Sequence, residues 1–120
     1  MSTQETKIIT KIIRELSLYL LIHRVYEFSI NLSKEEEVTT FTLSFNTPKN
    51  PKIIATMVEK ISRERELEIE TYGWELVGDI DETSELEISS LLLDEIHVQE
   101  SNTTTTIVLT RKNQYRKKAK

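Results

Sequence analysis

Along the first two dozen positions, apolar residues recur at intervals of three and four: Ile9, Ile12, Ile13, Leu16 and Leu20. That spacing places them on one stripe and predicts a helix over about residues 4–23. Ser2 followed by Glu5 reads as a capping box at its start. The period then drops to two. Tyr26, Phe28, Ile30 and Leu32, then Phe41, Leu43 and Phe45 after a polar turn at 33–37, predict a hairpin with one apolar face. Residues 47–51 break the alternation. Asn50 is a candidate N-cap there, and Pro51 stands where the first helical position tolerates proline. Ile53, Ile54, Met57, Val58 and Ile61 then mark a second amphipathic helix.

The charged run 59–70 reads as the solvated end of that helix and the loop beyond it. Tyr72, Gly73, Trp74 and Gly78 lead into an acidic stretch, and Ser84 with Glu87 forms a second capping box before Leu86, Ile88, Leu91 and Leu92. Ile96 and Val98, a turn at Ser101 and Asn102, and Thr105, Ile107 and Leu109 complete a second hairpin. The order is α-β-β-α-α-β-β. A sheet with one apolar face needs a cover, and helices with single stripes supply it. The expectation is an α+β fold: a two-layer α/β sandwich, with a four-stranded, mostly antiparallel sheet of two hairpins covered on one face by three helices. Other two-layer folds share this order, so strand order stays open.

Composition narrows the class. A chain of 120 residues with 38% hydrophobic and 30% charged residues, only two glycines and two prolines, reads as one ordered domain. No apolar run approaches the roughly 20 residues that span a bilayer, and the first residues are polar, so neither an anchor nor a signal peptide is expected. With no cysteine there is no disulfide, thiolate metal site or thiol nucleophile, and the cytoplasm is the expected location. The net charge of −4 is uneven: residues 1–110 hold 10 Lys+Arg against 20 Asp+Glu, whereas 111–120 hold six basic residues and no acid. The expected division is a domain over 1–110 and a basic tail from Arg111 to Lys120. An acidic body disfavours nonspecific nucleic-acid binding by the folded surface and leaves the tail, Arg111 to Lys120, as the candidate for it.

Few residue groups carry chemistry. Asp79-x-Asp81-x-Thr83 has the start of a calcium loop, but Ser84 replaces the turn glycine and Ser90 falls where the bidentate glutamate belongs. His23 and His97 lack metal-ligand spacing, so no metal site is expected. Neither a Gly-x-Ser-x-Gly elbow nor a Gly-Lys-Ser loop occurs. What stands out is Glu15, Tyr19 and His23, four apart on one side of the first helix.

With Asn46, Pro48 and Asn50 following the second strand, this ladder resembles the GHKL group of ATPases and kinases, which includes histidine kinase ATP-binding domains and anti-sigma-factor serine kinases. In that group a helix reads Glu-x-x-x-Asn, two strands follow, and Asp-x-Gly-x-Gly ends the second. The last helix and strand pair, through Lys112, also resembles that of anti-sigma kinases, so the likeness covers about residues 7–112. It implies a nucleotide site in which Glu15 would be the general base, Tyr19 would replace the magnesium ligand and Asn46 would replace the acid that binds adenine. A phenol is a poor substitute for an amide oxygen on magnesium, and a neutral Asn46 binds adenine more weakly than an acid. Pro48 removes a donor and fixes φ where the group has glycine. Glu85 and Glu87 stand where glycines would cradle phosphate, and with Asp79, Asp81 and Glu82 they oppose a triphosphate.

The expectation is therefore a GHKL-like domain that has lost its ATP site. It would bind neither ATP nor magnesium, and Glu15 would be a solvated acid or a helix salt bridge. Such a domain would act non-catalytically through a protein partner or as a homodimer, with Tyr72 and Trp74 as candidate contact residues. Two alternatives stand beside it: an ATP-binding regulator with a site rebuilt from Glu15, Tyr19 and Asn46, and an RNA-associated accessory protein using the basic tail.

Overall fold

In the computed structural model, which describes residues 3–62 and 86–113, the apolar phases of the sequence become seven elements. Helix α1 (Thr3–Ile22) is followed by strands β1 (Phe28–Lys34) and β2 (Val38–Asn46). Helix α2 (Lys52–Ile61), helix α3 (Glu87–Leu92), and strands β3 (Glu95–Glu100) and β4 (Thr104–Lys112) complete the order. The strands form one antiparallel sheet in the order β1-β2-β4-β3. Two hairpins are thus joined through their second strands, and the fold is the α+β sandwich the sequence predicts.

Register explains why the core forms where it does. Ile30, Leu43, Ile107 and Val98 lie in one row across the sheet, and Leu32, Phe41, Leu109 and Ile96 in the next. Both rows point to the side on which Ile12, Leu16 and Leu20 of α1, Met57 and Ile61 of α2, and Leu92 of α3 are buried in a single hydrophobic cluster. The opposite face carries Thr40, Thr42, Ser44, Thr106 and Thr110, all partly exposed. Because alternate residues of a strand face opposite ways, one layer of helices suffices.

Helix ends follow local chemistry. Lys52 donates its amide to the Asn50 side chain at 3.0 Å, so Asn50 caps α2 from just before Pro51, as its sequence position predicts. At the other end of α1, Val25 N–H bonds to Leu20 carbonyl at 2.9 Å and Arg24 N–H to Leu21 carbonyl at 3.0 Å. Arg24 has φ of 68°, so this is a Schellman closure with arginine in the left-handed position that glycine usually fills. Arg24→Gly should raise stability by about 0.5–1 kcal/mol in urea denaturation, since the native geometry is kept and the Cβ penalty removed. Ser2 and Ser84, proposed capping residues, lie outside the described residues.

Two expectations are corrected. Tyr26 is not in β1: β2 ends at Asn46, and the next residue, Thr47, gives its amide to Thr103 carbonyl, so no strand continues opposite Tyr26. The second correction concerns the tail. Arg111 and Lys112 belong to β4, and Arg111 is 2% exposed. Its Nε donates to Glu5 Oε2 at 2.8 Å, its Nη2 to Glu5 Oε1 at 3.1 Å, and its Nη1 to Leu92 carbonyl at 2.9 Å. Asn113 is also buried: its side chain donates to the carbonyls of Glu35 and Glu36 and accepts from Thr39, holding the β1–β2 turn. The folded unit therefore extends at least to Asn113, and four of the six basic residues follow it in sequence.

Candidate functional site

The α1 ladder separates into three tasks. Glu15, half-buried, turns toward the start of α3, where Ile88 N–H donates to its Oε2 at 2.9 Å and Ser89 N–H to its Oε1 at 2.6 Å. Leu86, with φ of 60°, is the left-handed residue immediately before this helix. The first free amides of α3 thus meet a carboxylate supplied by another helix, which suits the positive end of the helix dipole. Glu15 is neither a solvated acid nor one half of an i,i+4 ion pair. Burial pushes its pKa up from the usual carboxylate range, and the two amide bonds act in the opposite sense.

Tyr19 is 1% exposed and donates its hydroxyl to the Ile53 carbonyl at 2.5 Å, tying α1 to the first turn of α2. Its ring lies 4.5 Å from that of His23, tilted by 53°. The phenol oxygen is engaged inside the protein, so Tyr19 fills and fastens the space between two helices.

His23 alone of the three lines an open depression, among the described residues, that gathers predicted site residues. This groove, of about 820 Å3, is lined by His23, Arg24 and Tyr26 from the end of α1 and its connection, and by Asn46, Pro48 and Asn50 from the connection after β2. Thr47 fixes its far wall: its amide bonds to Thr103 carbonyl, and its hydroxyl lies 2.9 Å from that of Thr105. The structure therefore brings Asn46, Pro48, Asn50 and His23 together and takes Glu15 and Tyr19 elsewhere. Arg24 and Lys49 against Glu27 give the groove a positive balance, which the sequence reading missed because Arg24 enters through the helix closure.

His97 is exposed on β3, with Nε2 3.9 Å from Glu95 Oε1. Among the described residues, no three His, Asp or Glu side chains converge as a metal site. Tyr72, Trp74, Asp79, Asp81, Glu82 and Glu85 lie outside the described residues. No helix among the described residues is long and apolar enough to cross a membrane.

Fold and site together define an α+β sandwich with a groove at the junction of α1, β2 and α2. Comparison with protein families, characterised proteins and solved structures finds no match for this chain.

Proposed function

We propose that this protein is a non-catalytic interaction or regulatory domain of the cytoplasm, resembling a GHKL ATPase or anti-sigma kinase whose ATP site has been lost. The observation that carries this reading is the engagement of Glu15 by the amides of Ile88 and Ser89. A general base must reach a water or hydroxyl, and both oxygens of this carboxylate are held by backbone. The Tyr19 hydroxyl supports the same reading, since its bond to Ile53 removes it from any metal. Neither ATP nor magnesium is required by what these side chains do.

The groove favours a second reading, a nucleotide-binding regulator with a rebuilt site. His23 and Asn46 offer ring and amide groups there, and Arg24 and Lys49 offer positive charge. RNA association would rest on residues 114–120 alone. Thermal unfolding with millimolar magnesium-ATP separates the first two. Unchanged stability is the expected result, whereas stabilisation approaching the roughly 2.7 kcal/mol of a ligand at a hundred times its Kd would favour the rebuilt site.

A further inference from the structure

Arg24 stands at φ of 68°, where a glycine would close α1 with less strain. A side chain kept at a position its own Cβ disfavours points to a use for what lies beyond that Cβ. The guanidinium is uncommitted. Among the described residues it forms no hydrogen bond or ion pair, and neither does the ammonium of Lys49, which lines the same groove from the connection after β2. Both residues are exposed. Glu27, the acid that shares the groove, pairs with neither of them.

The rest of the lining is apolar or neutral. Val25 and Ile53 are buried, Pro48 is half-buried, and Tyr26 is 70% exposed. Asn50 uses its side-chain oxygen on the Lys52 amide, so toward a ligand it has its NH2 to donate. Two unpaired cations thus share a cleft with an open aromatic ring.

We infer that this groove binds a small aromatic phosphomonoester, its phosphate held by Arg24 and Lys49 and its ring laid against Tyr26. The inference rests on reading the protein as a regulatory domain and names the class of molecule that would regulate it. Charge selects the phosphate. A monoester carries about −1.5 to −2 charges near neutral pH, which two unpaired cations match, whereas a carboxylate engages one of them and leaves the other idle. A triphosphate carries about twice the charge of a monoester, beyond what two cations beside Glu27 offset. The planar fork of Arg24 can donate to two oxygens at once, while Lys49 acts as a point charge. Size and ring select the remainder. The volume of about 820 Å3 falls within the roughly 300–1,000 Å3 of small-molecule sites, and an exposed phenol ring takes a second ring by offset stacking.

Phenyl phosphate is the probe, titrated in EDTA at mildly alkaline pH into the isotope-labelled full chain and followed by NMR. Saturable shifts at Arg24, Tyr26 and Lys49 are expected, with a Kd on the order of 1 mM for so small a molecule. Arg24→Gly should weaken binding at least ~10-fold while raising the urea midpoint, a split that a purely structural arginine would not produce. Lys49→Gln should weaken it by a similar factor and Tyr26→Ser by about 3-fold, both at exposed positions where folding is undisturbed. Inorganic phosphate lacks the ring and benzoate the second charge, so each should bind several-fold more weakly. No saturable shift at tens of millimolar would overturn the inference, as would binding indifferent to Arg24→Gly. Inorganic phosphate or benzoate binding as tightly as phenyl phosphate would overturn it too. Stabilisation of the Arg24→Gly chain by magnesium-ATP would instead remove the functional reading and leave the phenyl phosphate measurement standing.

Discussion

Arg111→Ala is expected to destabilise the protein by about 3–5 kcal/mol, because it strands the Glu5 carboxylate in the core without its cation. Glu5 is 3% exposed and Arg111 2%, so neither charge can recover its solvation by a small movement. The loss is a large share of the roughly 5–15 kcal/mol that holds a domain of this size. It also frees the Leu92 carbonyl at the end of α3. Urea denaturation should show a lower midpoint with little change in slope. Glu5→Ala should cost a comparable amount, and the double variant much less than the sum, since removing both charges leaves no unpaired ion. Replacement of the pair by Leu and Met should recover most of the stability; a double variant whose losses simply add would show that the two side chains act independently.

The second large effect lies at Glu15. Glu15→Ala leaves the Ile88 and Ser89 amides without an acceptor, at about 1–3 kcal/mol. Glu15→Gln keeps one acceptor oxygen and removes the charge, so it isolates the titration. Burial raises the folded-state pKa above the unfolded one, so the folded protein holds this proton more tightly. The Glu15 contribution to stability is therefore greatest below the unfolded value, roughly 4.3, and declines as pH rises through the folded value. Subtracting the Glu15→Gln curve from that of the native chain should leave a difference that falls with pH across that window and is flat above it. A difference that rises with pH would mean that the amide bonds outweigh burial.

Much of this architecture was legible because its elements obey one period each. Phe41, Leu43 and Phe45, and Ile107 and Leu109, announced two inward faces, and the structure pairs them. Arg111 continues the same alternation, and Glu5 precedes Ile8, Ile9 and Ile12 at helical spacing. Both signals were present. The sequence reading gave Glu5 to a capping box with Ser2 and Arg111 to a basic tail, although each position lies in an apolar phase and a buried pair satisfies both facts.

Other features had no local signal. The extent of β1 is set by where β2 ends, so Tyr26 looked like strand until its missing neighbour was visible. Arg24 closes α1 without the glycine that would have marked the turn. The engagement of Glu15 joins residues more than seventy positions apart and depends on the tertiary placement of α3. For the candidate site, the four-residue spacing correctly put Glu15, Tyr19 and His23 on one helix face, but the partners that give each a different task belong to other elements.

The position of β4 has a consequence for how the chain is made. The first hairpin can close as soon as it is synthesised, yet its β2 edge and the row Phe41, Leu43 and Phe45 find their neighbours only in Thr104–Lys112, far downstream. Local hairpins form in about 1–10 microseconds, whereas a pairing this distant in sequence must first close a long loop. During synthesis the nascent chain therefore carries an unpaired central strand until β4 has emerged. Asn113 then fastens the newest residues over the turn made first. The sheet is completed from its middle, and a chain without β4 would have two edges where its centre should be.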